Sequence, residues 1–223
     1  SDVYKRQIIN NTETIASVPY IIKNGVDWYK NLGVGDAHGV KMFCMSGHLN
    51  KPKVIEAPLG TPFSKLLDEC NGILNDKKLK AVIPGGSSVP VVKGEVIMDT
   101  PMDYEPLMKI GTMLGSGGVI VMDETTCMVS VLERISRFYY AESCGQCTPC
   151  LECTGWLYTS LVKIRAGHGD QSDLDLLNRV ASQIEGHCIC ALGDAAAMPV
   201  KSFLTNFWNE FEYYVEKKQS MII

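Results

Sequence analysis

Four cysteines stand three residues apart in ESCGQCTPCLEC, residues 142–153: Cys144, Cys147, Cys150 and Cys153. Two more, Cys188 and Cys190, follow in IEGHCICALGD. Clustered thiols without an export signal read as metal ligands or redox groups. The C-x-x-C-x-x-C spacing of Cys144, Cys147 and Cys150 suits a [4Fe–4S] cluster. A short loop wraps three corners of the cube, and the fourth corner takes a ligand from elsewhere in the chain. Zinc is the alternative, with the remote C-x-C group completing a four-cysteine site, although structural zinc favours two separated pairs and more often includes histidine.

The fourth ligand is open on spacing alone. Cys153 would sit on the helix that the run opens, on the same face as Cys150, and reaches poorly to the far corner. Cys188 and Cys190 lie in a turn between two helices, and spacing does not separate them. Thr148 and Pro149 resemble the cap and first position of a helix, which aims free N–H groups and a positive dipole end at Cys147 and Cys150. Gly145 lets the backbone come close to sulfide. The lone thiols Cys44, Cys70 and Cys127 lie in apolar stretches and read as core packing.

The elements that must position these thiols follow from periodicity. Residues 8–33 look helical, with apolar Ile15, Val18, Ile21, Ile22, Val26 and Trp28; Pro19 should break or kink the run, and Gly25 and Gly33 punctuate it. VKMFCMSG (40–47) and PKVIEAPLG (52–60) read as a hairpin. TPFSKLLDECNG (61–72) reads as a helix capped by Thr61, with Pro62 in its first turn. Strands are expected at 79–86 and 94–100, and GGVIVMDE (117–124) reads as a short apolar strand or extended link. Hairpin, helix and returning strands make a β-grasp-like unit. Helical stripes then run through Met128–Tyr139, from the cysteine run to Ile164, over 173–186, and from about Asp194 to Lys218, with Pro199 at or within the last. These form a bundle of about four helices with the cysteines at one end. The fold class is α+β.

Composition excludes several roles. The 223 residues carry 46% hydrophobic and 21% charged residues, an ordinary globular balance. The net charge of −4 gives no support for nucleic-acid binding. No apolar stretch is long enough to span a bilayer, so membrane association is expected only through partners. No signal peptide is legible in SDVYKRQIINNTET, and a reducing compartment is expected. No general base, nucleophile or phosphate-cradling loop stands out, so no catalytic residue is assigned. Lys163, Arg165 and His168 read as a solvated helix end, and PGGSSVP (84–90) as a turn.

INNTET, VIPGGSS, GSGGVIVMDE, ESCGQCTPC and IEGHCICALGDAAA occur in this order in one family. From about Ile8 onward the chain resembles the C-terminal half of the flavin- and NADH-binding subunit of NADH:quinone oxidoreductase, respiratory complex I. NAD-linked hydrogenases and formate dehydrogenases have related subunits. The resemblance implies a remnant of a flavin-binding domain with linker helices over 1–39. A β-grasp (soluble ligand-binding) domain over 40–103 and a helical [4Fe–4S]-binding bundle over 104–223 follow. It implies Cys144, Cys147, Cys150 and Cys190 as cluster ligands and Asn10, Asn11 and Thr14 as FMN contacts. Taken alone, an Asn-Asn-Thr group ahead of a helix simply caps it.

Three departures stand out. Leu151 replaces a basic residue, which implies a lower cluster potential. Cys153 replaces glycine and adds a thiol that competes for iron. Residues 1–7 do not fit the family and read as a truncation or junction, and the upstream glycine-rich FMN and NADH stretches are absent.

The implied role is electron transfer from reduced FMN, fed by NADH, through one cluster toward quinone. The implied partners are other peripheral-arm subunits, including a [2Fe–2S] subunit and a large iron–sulfur subunit. The implied place is the cytoplasmic side of the inner (cell) membrane. The chain alone is expected to be inactive toward NADH. The hydrogenase or formate dehydrogenase setting is a second reading, weakened because no further cysteines follow EYYVEKKQSMII. A zinc-stabilised interaction module is the rival of another class.

Overall fold

The computed structural model of the chain describes residues 8–222, so the reading of residues 1–7 lies outside it. Helix α1 (Thr12–Asn24) and helix α2 (Val26–Lys30) fill the expected helical stretch, divided at Gly25. Pro19 sits inside α1 without ending it, and the break falls at Gly25, whose φ of 90° a side chain would resist. The apolar face of α1 is exposed: Ile15, Val18 and Ile22 all stand open. Glu13 anchors the helix, accepting the Met42 N–H at 2.6 Å and pairing with Lys41 at 3.1 Å. Met42 can offer that N–H because β1 pairs with β5 only from Cys44 onward.

Strand β1 (Val40–Gly47) and strand β2 (Lys53–Pro58) form the expected antiparallel hairpin. Helix α3 (Phe63–Glu69) follows, then strand β3 (Leu79–Ile83), strand β4 (Val92–Lys93), helix α4 (Gly94–Ile97), helix α5 (Tyr104–Lys109) and strand β5 (Gly118–Asp123). The sheet order is β2-β1-β5-β3-β4. β5 pairs parallel to β1 and antiparallel to β3. A parallel neighbour requires a long crossover, which everything from β2 to α5 supplies.

Two expectations change here. Gly94–Ile97 form a short helix and 98–99 a turn, in place of the strand expected over 94–100. A Cβ at Gly94 would meet Leu79 Cγ at 2.5 Å, so the chain touches β3 there and turns into α4, burying Ile97. Thr61 does not cap α3: Pro62 occupies the cap position, and the Thr61 hydroxyl donates back to the Pro58 carbonyl at 2.7 Å.

The position of β5 explains its unbroken apolar sequence. Val119 and Val121 join Phe43, Phe63 and Leu66 in one core, on the α3 side. Ile120 and Met122 face the other way and join the helical core. Alternate residues thus bury on opposite faces, as in any strand covered on both sides. The strand that follows residue 103 is therefore central to the sheet.

Helix α6 (Met128–Glu142), helix α7 (Thr148–Arg165), helix α8 (Gln171–Ile184) and helix α9 (Leu192–Lys217) make the bundle. Leu161, Ile164, Leu174, Phe203 and Phe211 are fully buried within it, each contributing about 1.5–3 kcal/mol. Pro199 lies within α9, and the helical dihedrals break instead at Phe207, φ −131°. The basic end of α7 is not merely solvated. Lys163 pairs with Asp173 at 2.8 Å, beside the capping box by which Asp170 and Asp173 start α8, and Arg165 pairs with Glu133.

The bundle is fastened to the sheet by buried polar groups. Lys80 of β3 pairs with Glu210 of α9 at 2.6 Å and donates to the Thr126 carbonyl at 2.5 Å. Glu210 also accepts the Met128 N–H at 3.1 Å, placing a carboxylate at the start of α6 where the helix dipole favours it. Ser202 and Asn206 of α9 bond the two backbone polar groups of Val91, next to β4, at 3.1 and 3.0 Å.

Candidate metal centre

The up-and-down course of α6 to α9 brings two connections to one end of the bundle. One is the 143–147 loop between α6 and α7; the other is the 185–191 turn between α8 and α9. Gly145 in the loop has φ 79°, which favours glycine, and a Cβ there would meet only Leu151 at 3.8 Å. Its backbone conformation, not crowding, sets the requirement. α7 begins one residue earlier than expected, with Cys147 itself at the N-cap and Pro149 in the first turn. That leaves the Cys150 N–H unpaired within the helix, at its positive end.

Cys150 is buried and Cys147 half-buried, while Cys144 lies exposed. Cys150 Sγ stands 3.2 Å from the Ser143 hydroxyl, the only partner of the two able to donate strongly. The Gly145 N–H donates to the same hydroxyl oxygen at 3.4 Å. Cys147 Sγ accepts the Ile189 N–H at 3.3 Å. Loop and turn therefore touch, through the residue lying between Cys188 and Cys190.

The turn has its own anchors. Gly186 N–H donates to Asp194 of α9 at 2.7 Å, and Lys201 of α9 pairs with Glu185 at 2.5 Å. Cys188 packs inward: a Cβ on Gly193 would meet its Sγ at 2.5 Å. Burial pushes the Cys188 thiol up, nearby Cys150 and Cys147 push it further, and the Cys150 N–H pulls the other way. Cys190 lies exposed on the rim. Cys188 thus lies close to Cys147 and Cys150, while Cys190, next to the Ile189 that bonds Cys147, is exposed. Cys153 is buried in the helical core, where burial pushes its thiol up, followed by Glu152 and Cys150.

Among the described residues no group of three or more thiol, imidazole or carboxylate donors is closed into a cage for a metal ion. The donor chemistry nevertheless fits an iron–sulfur group. Soft thiols gather on two touching segments, and N–H and O–H groups already point at two of their sulfurs.

The other expected contacts sit elsewhere in the fold. Asn11 caps α1, its side-chain oxygen accepting the N–H of Glu13 at 2.8 Å and of Thr14 at 3.2 Å; Asn10 and Thr14 are exposed. Cys44 is exposed, because Phe43 and Met45 on either side of it take the core face of β1. Cys70 is buried as expected, and Cys127 is half-buried at the start of α6. Sequence reasoning missed the Ser143 contact, since a serine at a helix C-terminus looks like a cap. It also missed Glu210, which the buried stripe Phe207, Phe211 and Tyr214 could have betrayed as a charge on an apolar face.

Residues 130–214 match the NADH-ubiquinone oxidoreductase-F iron-sulfur binding region, a [4Fe–4S] family, and residues 42–92 match the SLBB domain. The F subunit of NADH-quinone oxidoreductase from Rickettsia bellii (strain OSU 85-389) is 43% identical over 93% of this chain and 50% of its own length. An F subunit of the same enzyme from Rhizobium meliloti (strain 1021) is 43% identical over 94% of this chain and 49% of its own. A crystal structure of NAD+-reducing [NiFe]-hydrogenase in the H2-reduced state superposes with a TM-score of 0.84 at 28% identity. It covers 93% of this chain and 34% of the hydrogenase chain. The chain thus spans about half the length of the curated relatives it matches. With both its sheet domain and its thiol-bearing bundle accounted for, the chain belongs to the family of the NADH-quinone oxidoreductase F subunit.

Proposed function

We propose that this chain carries electrons within a NADH–quinone oxidoreductase, from reduced FMN fed by NADH, through one [4Fe–4S] cluster, toward quinone. Cys144, Cys147 and Cys150 are its loop ligands and Cys190 its fourth. The observation that carries this reading is the Ile189 N–H bond to Cys147 Sγ, which joins the two cysteine segments inside the matched iron–sulfur region. When bound, the cluster supplies one-electron transfer between a flavin and the next carrier. The chain's own residues hold it by thiolate, donate hydrogen bonds to its sulfurs and bury its inner side. Asn10, Asn11 and Thr14 belong to the edge of the flavin site in this reading, with FMN and NADH held chiefly by the half of the relatives that this chain does not span.

The partners in this proposal are further subunits of a peripheral arm, a [2Fe–2S] protein and a large iron–sulfur protein among them. Its place is the cytoplasmic side of the inner (cell) membrane, held there through those subunits; no described helix is long and apolar enough to cross a membrane. The domain division proposed with it is a flavin-domain remnant over 1–39, the β-grasp unit from 40, and the bundle to 223. Strand β5, numbered within the last, completes the sheet of the second. The likeness to a NAD+-reducing hydrogenase favours a second setting, an equivalent subunit delivering electrons between NAD(H) and a hydrogenase.

Anaerobic reconstitution with iron and sulfide tests the first reading. The expected product is brown, holds the full iron complement and gives an EPR signal on reduction. A colourless protein holding one zinc through four thiolates would refute it. Co-purification with quinone-reducing or hydrogen-oxidising activity then separates the two settings.

A further inference from the structure

We infer that Ser143 is a positioning residue that raises the reduction potential of the cluster by hydrogen-bonding to Cys150; this rests on the cluster reading above. The Ser143 hydroxyl is 3.2 Å from Cys150 Sγ, and the Gly145 N–H donates to its oxygen at 3.4 Å. With that oxygen accepting from Gly145, the hydroxyl proton is free for the sulfur. Ser143 follows the last residue of α6 in extended conformation, φ −62° and ψ 125°, and its hydroxyl reaches Cys150 in the first turn of α7. Cys150 is 7% exposed. Water therefore competes poorly for its sulfur, and a hydrogen bond there acts in a low-dielectric setting.

The direction follows from charge. Reduction adds one electron to a group already negative, and part of that charge resides on the cysteine sulfurs. A donor aimed at such a sulfur stabilises the reduced form more than the oxidised one, so it raises the potential. Ile189 N–H does the same at Cys147. That donor belongs to the backbone and survives most substitutions, whereas the Ser143 hydroxyl is removed by one. Leu151 places no cation near the loop, so hydrogen-bond donors carry more of the tuning in this chain.

The test uses the full chain with the subunits that accompany it, purified without oxygen, and follows the cluster EPR signal through a redox titration. Iron content and signal shape in the unsubstituted protein establish the cluster independently of the inference. Ser143→Ala is expected to keep its iron while the reduction equilibrium constant falls about tenfold, roughly 59 mV for a one-electron couple. Ser143→Thr, which keeps the hydroxyl, is expected to restore most of that shift. An unchanged midpoint in Ser143→Ala at full iron content overturns the inference and leaves the cluster standing. Loss of iron in Ser143→Ala, with or without retention in Ser143→Thr, also overturns it, because the side chain would then be holding the loop rather than tuning the group.

Discussion

Ile189 donates its backbone N–H to Cys147 Sγ at 3.3 Å, across 42 residues of sequence. That single bond brings the turn carrying Cys188 and Cys190 onto the loop carrying Cys144, Cys147 and Cys150. It also poses a choice, because Cys188 faces the loop thiols while Cys190 stands at the rim. We predict that Cys190→Ser loses the iron of the reconstituted protein, while Cys188→Ser and Cys153→Ser keep it. Cys153 is committed to the core beside Leu157 and Tyr139, so its serine variant should melt earlier yet stay brown. Iron analysis of the three variants decides the matter, and a brown Cys190→Ser with a colourless Cys188→Ser would move the fourth ligand to Cys188.

Gly193 makes room for the turn. A Cβ there would meet Cys188 Sγ at 2.5 Å and its Cβ at 2.8 Å. Both atoms belong to a residue whose backbone is held by the neighbouring Ile189 bond, so neither can retreat freely. Gly193→Ala is expected to destabilise the protein by about 1–3 kcal/mol, the usual range for an overpacked site. Combined with Cys188→Gly, which removes the obstructing side chain, most of that loss should vanish. Denaturant titration of the single and double variants measures the coupling, and strict additivity would show that the crowding is not there.

The ion pair of Lys80 and Glu210 holds the bundle to the sheet. Its side chains are 14% and 6% exposed, so each charge depends on the other. Lys80→Met strands the Glu210 carboxylate and should cost about 3–5 kcal/mol. Lys80→Met with Glu210→Gln should recover part of it, since the neutral amide still serves the Met128 N–H as acceptor. Urea midpoints read this directly, and a Lys80→Met variant as stable as the parent would mean that water already screens the pair.

Much of this architecture was legible because local signals agreed. The hairpin, β3, the bundle helices and the apolar strand at 118–123 all carried the period of the structure they form. What escaped was long-range. Nothing in GVIVMD says that it inserts between β1 and β3, because a strand buried on both faces reads the same wherever it pairs. GEVIMDT looks like a strand by composition, yet Gly94 touches β3 and sends the chain into α4. The thiol loop stood out as candidate metal chemistry, since four thiols at one spacing have few other uses. Which turn cysteine faces it was not legible, as that depends on packing against Gly193 rather than on spacing.

Asp123, the last residue of β5, offers a measurement in pH. Burial pushes its carboxyl up, but the Thr125 hydroxyl and N–H, His48 and Lys77 together hold it below the ordinary value. The hydroxyl bond is 2.6 Å, the Thr125 N–H bond 2.9 Å and the His48 contact 3.0 Å. A carboxylate depressed in the folded state adds stability that is fully present above its unfolded pKa, about 3.9. That contribution drains away as pH falls through the lower folded value. Asp123→Asn should therefore be less stable than the parent at pH 7, and the gap should narrow as pH drops below about 4. Urea titrations of both proteins from pH 7 down to pH 3 test the sign. A gap that widens toward acid would mean that the carboxyl prefers its protonated form in the fold, and that burial outweighs the partners after all.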